Sequence, residues 1–238
     1  MSNPYREKER APPQGFNKIM PPSPIEAVIF DMDGVLADSE PLYHLSINQV
    51  LASRGQCLTG EANRAILGTT VDYTWGWLKE RFRLEGDLGR LIAEYDSIVL
   101  KNLEENVVPS PGLYPLLDGL QARGLKLGLA SSSQGNWVQT VLSTLGVADR
   151  FQVVVSGDMV KRGKPEPDIF LQAAATLEAH PSHCLVLEDS PHGIQAGKRA
   201  GMTVIAILTP LTRDLDLSLS DYTLESLADF DYAVLDRS

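Results

Sequence analysis

Between residues 113 and 208 the apolar positions switch repeatedly between two periods. Leu113, Leu116, Leu117 and Leu120 recur at helical spacing and stop at Gly124, after which residues 125–130 form a short apolar run. Val138, Val141, Leu142 and Leu145 repeat the stripe up to Gly146, and residues 151–155 repeat the run. A third stripe (Phe170, Ala173, Ala174, Leu177) precedes a run at 184–187, a helical pattern at 194–200 and a last run at 202–208. Stripes at i, i+3, i+4 and i+7 are amphipathic helices, and short apolar runs are strands covered on both faces. Another such run, residues 25–30, opens the series. The alternation predicts an α/β fold with a doubly wound parallel sheet and helices on both faces. Residues 222–237 predict a short strand or turn and a final helix.

Residues 40–106 break the alternation. Ser39 reads as an N-cap with Pro41 in the first turn, Tyr43, Ile47, Val50 and Leu51 share one helical face, and Gly55 closes that helix. Helical sequence continues beyond it, with breaks near Thr59 and Gly60, at Gly68 and at Gly86. A single crossover helix needs far fewer residues, so the segment reads as a separate helical cap inserted after the first strand. Pro109, Ser110, Pro111 and Gly112 form the return linker. The expected organisation is a tail over residues 1–24, a core over 25–39 and 107–238, and a cap over 40–106. The tail holds six prolines and the charge run Arg6, Glu7, Lys8, Glu9, Arg10. It has no apolar stretch, so it reads as a disordered tail and not as a secretory signal. An organellar transit peptide is the alternative, and Glu7 and Glu9 stand against it.

Charge and cysteine usage narrow the partners. The net charge is −10, without the basic stripe that nucleic-acid binding leaves in a sequence. An anionic metabolite would need a locally positive site made of lysine, backbone N–H groups and metal. The two cysteines, Cys57 and Cys184, make no CxxC pair. They fit a reducing compartment, with Cys184 a core residue in HCLVLED. No apolar run reaches the roughly 18 residues of a membrane span. The expectation is a cytoplasmic monomer acting on a small molecule, with neither nucleic acid nor membrane as partner.

Ligands of open α/β sheets sit beyond the C-terminal ends of the strands. The first strand ends at Asp31, with Asp33 two residues on and Gly34 next, in VIFDMDGVLADSE. Carboxylates at i and i+2 on extended backbone point the same way. One can attack an electrophile while the other handles a proton, although a short DxD also binds metal or caps a turn. The strand at 125–130 ends at Ser131, Ser132 and Ser133, that at 151–155 leads through Gly157 and Asp158 to Lys164, and that at 184–187 ends at Glu188, Asp189 and Ser190. Each has a plainer alternative: serines capping the next helix, a solvated lysine, acids at a helix N-terminus favoured by its dipole. Their arrival together at matched strand ends argues for one site.

In this order the pieces resemble the four motifs of the haloacid dehalogenase (HAD) superfamily of phosphotransferases: DMDGV at 31–35, LGLASSS at 127–133, Lys164 within GKPEPDIF, and LEDSPHGIQAGKRAG at 187–201. The resemblance spans about residues 25–210 and puts residues 40–106 in the place of a C1-type helical cap. It is nearest the subgroup of β-phosphoglucomutase, 2-deoxyglucose-6-phosphatase and pseudouridine-5′-phosphatase. It implies a HAD Rossmann-like core, a small phosphorylated metabolite as substrate and Mg²⁺ as cofactor. Asp31 would be the nucleophile and Asp33 the general acid and base. Mg²⁺ would be held by Asp31, Asp189, Glu188 and the backbone carbonyl of Asp33, and phosphate by Ser131, Ser132 and Lys164. The HAD dehalogenases lack the second Asp, so Asp33 points to C–O–P chemistry and a phosphatase. In the cap, Tyr43 or His44 and the loop Gly68, Thr69, Thr70, Val71 would face the substrate. The mutase carries an Arg where this chain has Val71 and a His where it has Tyr43, which leaves a phosphomutase as the alternative to a phosphatase. A non-catalytic phosphometabolite-binding protein is the second alternative. Trp75 and Trp77 are expected in the cap core, and His192 on the surface.

Overall fold

The computed structural model describes residues 24–66 and 70–235. Apart from Pro24, the expected tail lies outside them. Six strands form one parallel sheet in the order β3-β2-β1-β4-β5-β6: β1 Ala27–Phe30, β2 Lys126–Ala130, β3 Val153–Val155, β4 Cys184–Glu188, β5 Thr203–Ile207 and β6 Tyr222–Leu224. Side chains alternate across a strand, so β1 divides itself between two apolar cores. Val28 and Phe30 join Leu127, Leu129, Leu185 and Leu187 on one face, while Ala27 and Ile29 join Val153, Val155, Val186 and Val204 on the other. This burial on both faces explains why the strands read as runs in the sequence.

Four helices follow β1 before the chain returns to the sheet: α1 Glu40–Ala52, α2 Gly60–Ile66, α3 Val71–Phe82 and α4 Leu88–Asn106. They fall between the breaks foreseen near Gly60, Gly68 and Gly86. Ile47, Val50, Trp75, Leu78, Leu91, Val99 and Leu103 are buried together, and this apolar interior runs on into the Val28/Phe30 face of the sheet. Trp75 is fully buried and Trp77 packs against the same interior, as core residues. The stripes of the later helices are buried as expected. In α5 (Leu113–Ala122) and α6 (Gly135–Thr144) they lie on the Phe30 face, and in α7 (Asp168–Thr176), with α8 (Pro191–Arg199), on the Ile29 face.

The final helix expected within residues 222–237 does not form over the part described. After β6 the chain makes two 3₁₀ turns, Leu227–Asp229 and Tyr232–Val234. Ser226 Oγ accepts the N–H of Ala228 at 3.1 Å and Asp231 Oδ1 that of Ala233 at 2.9 Å. Such short-range bonds close single turns and compete with a continuing helix. Leu227, Phe230 and Leu235 are buried by these turns.

Candidate active site

Strand order brings the site together. The chain leaves β1 toward β2 and β3 on one side, then crosses to β4 on the other, so the crevice beyond β1 and β4 is a topological switch point. Phe30 pairs with Leu187 on β4 and with Leu129 on β2. The next residues out are therefore Asp31 beside Glu188, with Ala130 and Ser131 on the opposite flank. Immediately after Asp31 the backbone curls back: the N–H of Leu36 donates to Met32 O at 2.8 Å and that of Gly34 to Ala37 O at 2.8 Å. Gly34 has a φ of +77°, and a Cβ there would lie 2.3 Å from Asp189 Oδ2. Glycine is thus required both for the turn and for the acid that the turn closes upon.

Lys164, 133 residues from Asp31 in the chain, reaches into the acid cluster. Its ammonium donates to Asp31 Oδ1 at 2.6 Å, Glu188 Oε1 at 2.7 Å and the carbonyl of Ala130 at 3.1 Å. It is not a solvated turn lysine, for its side chain is only 6% exposed. Burial alone would push the ammonium down, yet the carboxylates of Asp31 and Glu188 together hold it charged and above its usual range. Carboxylate oxygens of Asp31, Glu188 and Asp189 lie within 4.8 Å of one another. Desolvation, with the repulsion of the neighbouring acids, pushes Asp31 up to about 7 and Asp189 up to about 9, with Lys164 opposing both. Fully ionised, the three close carboxylates and one ammonium would carry negative charge in excess. An all-oxygen donor set in that state fits a hard divalent cation.

The cluster is built into its helix. Glu188 Oε2 accepts the N–H of Ser190 at 2.7 Å and its hydroxyl at 3.0 Å. Ser190, not Glu188 or Asp189, caps α8, accepting the N–H of Gly193. At Gly193 a Cβ would lie 1.5 Å from Glu188 Oε1, so the carboxylate occupies the space that a side chain there would fill. His192 is exposed on the outer side of that turn.

Asp33 has different company. Tyr43 Oη donates to its Oδ1 at 2.7 Å and Ser133 Oγ to its Oδ2 at 2.7 Å, and the Ser39 hydroxyl also donates to Oδ1. The serines after β2 do not cap the next helix, for Gln134 holds that position. Ser131 is fully buried and accepts the N–H of Ser133 at 3.1 Å. Ser132 is exposed, with its carbonyl packed against Gly157, where a Cβ would come within 2.2 Å. Ser39 begins α1 without capping it, its hydroxyl being turned to Asp33 instead. Of the two candidates on that helix, Tyr43 reaches the site. His44 Nδ1 sits 3.2 Å from Asn48 Nδ2, one turn along. Gly68 and Thr69 lie outside the described residues. Thr70 caps α3 through the N–H of Tyr73, and Val71 packs against the apolar interior. The hydroxyls of Ser39 and Ser133 on Asp33 are the site contacts that the motif reading missed. Only the cluster of serines at a strand end hinted at the second.

Comparison with known proteins identifies the family. A profile of the haloacid dehalogenase-like hydrolases matches residues 28–207. The chain belongs to this family. Phosphorylated carbohydrates phosphatase of Thermotoga maritima is 36% identical over 182 residues, covering 75% of this chain and 82% of that protein. Beta-phosphoglucomutase of Bacillus subtilis is 31% identical over 216 residues, covering 85% and 94%. The crystal structure of CbbY from Rhodobacter sphaeroides in complex with phosphate superposes with a TM-score of 0.79 at 28% identity, over 90% of this chain and all of that one. The parallel sheet and its flanking helices are thus those of a haloacid dehalogenase-like hydrolase. Among the described residues, no helix is long and apolar enough to cross a membrane.

Proposed function

We propose that this protein is a Mg²⁺-dependent phosphatase of small phosphate monoesters, working through an aspartyl-phosphate on Asp31. The observation that carries it is the contrast between two carboxylates on one turn: Asp31 is paired with a buried ammonium inside the acid cluster, while Asp33 is held by hydroxyls outside it. Hydroxyls can accept as well as donate, so they can hold Asp33 with or without a proton, whereas Asp31 faces the Lys164 ammonium, where a phosphoryl group would be bound. Asp31 attacks phosphorus in line, and the bond from phosphorus to the leaving oxygen breaks as Asp33 gives that oxygen its proton. Asp33 then takes a proton from the water that hydrolyses the acyl phosphate, returning both acids to their starting state. Lys164, the Ser131 hydroxyl and the backbone N–H groups after β2 hold the phosphoryl oxygens. Asp31, Asp189, Glu188 and the carbonyl of Asp33 would hold Mg²⁺, which would supply the positive charge that lets a phosphate dianion approach a carboxylate.

The relative named for phosphorylated carbohydrates favours a sugar phosphate, with nucleoside 5′-phosphates the other class. We take α1–α4 as the cap over this site. Likeness to a beta-phosphoglucomutase keeps the mutase reading in view. That reaction needs a cationic grip on a second phosphate, since burying one unpaired is very costly. Val71 supplies no charge, and Lys101 on α4 is exposed and pairs with Glu105 at 4.0 Å. The test is a hydrolysis screen over sugar phosphates and nucleotides with Mg²⁺, plus β-glucose 1-phosphate supplied with catalytic glucose 1,6-bisphosphate. Release of free phosphate from one class of monoester supports the reading. Fast conversion to glucose 6-phosphate with little free phosphate would replace it.

A further inference from the structure

Asp33 is tied to a chain of contacts that leads away from the chemistry. The ring of Tyr43, whose hydroxyl holds Asp33, stacks on Trp137 with centroids 5.2 Å apart and planes 28° apart. Trp137 lies in the first turn of α6. Its indole N–H donates to Asp96 Oδ1 on α4 at 2.6 Å. Asn136 adds bonds from its side-chain amide to both Asp96 oxygens, at 3.1 and 3.2 Å, and fixes its own orientation by accepting the N–H of Trp137 at 2.9 Å. Tyr95 packs edge-on against Trp137 with centroids 5.8 Å apart, and Trp75 packs against Tyr95 at 5.2 Å. Asp96, half-buried, gives its carboxylate to neutral donors on another helix. A carboxylate placed so costs desolvation that a solvent-facing charge on α4 would avoid, and its hydrogen bonds set the plane of one indole.

We propose that Asp96, Trp137 and Tyr43 are positioning residues that form a relay, through which the packing of α4 on α6 sets the carboxylate of Asp33 for proton transfer to the leaving group. Asp96 fixes the plane of Trp137, the indole face fixes the Tyr43 ring, and the Tyr43 hydroxyl fixes Asp33 Oδ1. Ser39 and Ser133 complete the hold from the α1 entry and from the β2 loop. The relay joins the helical insert to the core, so Asp33 is correctly aimed only when the two are packed as they are here. The inference rests on Asp33 being the proton donor, as proposed above.

The test uses leaving groups that differ in their need for a proton. kcat/KM reports the steps up to cleavage of the P–O bond to the leaving group. p-Nitrophenolate leaves without help, phenolate needs some, and the alkoxide of benzyl phosphate needs most. Tyr43→Phe keeps the stack and deletes one of three donors to Asp33. It is expected to lower kcat/KM about tenfold for benzyl phosphate and less than about twofold for p-nitrophenyl phosphate. Asp96→Ala and Trp137→Phe should show the same selectivity, and Asp96→Asn, which keeps an acceptor for the indole N–H, should recover most of the loss. The double variant Asp96→Ala/Tyr43→Phe should be no worse than Tyr43→Phe alone, because both act through one path. Losses of equal size on all three esters, no loss, or additive effects in the double variant would overturn the relay. Asp33→Ala separates the two levels. If it is selective for poor leaving groups and Tyr43→Phe is not, the relay alone is wrong. If Asp33→Ala is unselective, the proton-donor reading falls and the relay with it.

Discussion

Gly193→Ala is the smallest change that should disable the acid cluster without touching any of its members. The added methyl would sit 1.5 Å from Glu188 Oε1, 1.9 Å from its carboxyl carbon and 2.5 Å from Oε2. One partner must give way. Helix α8 cannot back off freely, because Ile194 and Ala196 are buried against the sheet and Gly197 sits where a Cβ would meet Val204 Cγ2 at 2.7 Å. The carboxylate must therefore swing out and lose Lys164 at 2.7 Å and the Ser190 N–H at 2.7 Å. Hydrogen bonds to charged groups contribute about 1.5–3 kcal/mol each, and loss of groups that orient a ligand typically costs about 10- to 100-fold in metal affinity. Calorimetric titration with Mg²⁺, together with the Mg²⁺ dependence of turnover, reads this directly. We expect affinity to fall by about that factor while the circular dichroism spectrum is kept. Gly76→Ala, at a helical position where a Cβ meets nothing within 4 Å, is the control. Metal affinity within about twofold of the parent in Gly193→Ala would refute the claim that Glu188 holds the cation.

Three further outcomes follow from the same cluster. Asp31 and Asp189 are raised to about 7 and about 9 in the fold, so the metal-free protein keeps protons that the unfolded chain releases near 3.9. Its stability from these groups is complete below that value and is lost as pH climbs through about 7 and then 9. Mg²⁺ competes with the same protons, so its increment in Tm should be larger at about pH 8 than at about pH 5. An increment independent of pH contradicts the assignment of these acids as ligands. Lys164→Met removes the ammonium that pairs with Asp31 and Glu188 and should cost the metal-free protein about 3–5 kcal/mol in urea unfolding. A loss below about 1 kcal/mol would mean that the pair contributes little to the fold. Turnover should vanish in EDTA and return with Mg²⁺, and full activity after exhaustive chelation would remove the metal from the account.

The site residues that could be read from sequence share one property: each ends a recognisable strand or sits in a motif tied to one. Asp31, Ser131, Glu188 and Asp189 follow apolar runs directly, and parallel pairing then delivers them to a single edge. The helices of residues 40–106 were legible only in outline, because breaks near Gly60 and Gly86 separate them while an apolar stripe was read only for the first. Tertiary competition was not legible. Ser39 has the sequence signature of a helix cap, yet its one hydroxyl proton goes to Asp33. Ser133 meets an acid 100 residues away and Trp137 one 41 residues away, and no local periodicity encodes such pairings. The C-terminal turns failed as a helix because Ser226 and Asp231 satisfy local N–H groups first.

With Asp31 as nucleophile, the phosphoryl group passes through its carboxylate. Rapid acid quench of the enzyme turning over a ³²P-labelled monoester, followed by peptide mapping, tests this route most directly. We expect acid-stable label on the peptide carrying Asp31, lost on treatment with hydroxylamine, and neither label nor turnover in Asp31→Asn. Turnover without labelled protein in the parent enzyme, or Mg²⁺-dependent hydrolysis retained by Asp31→Asn, would contradict this route.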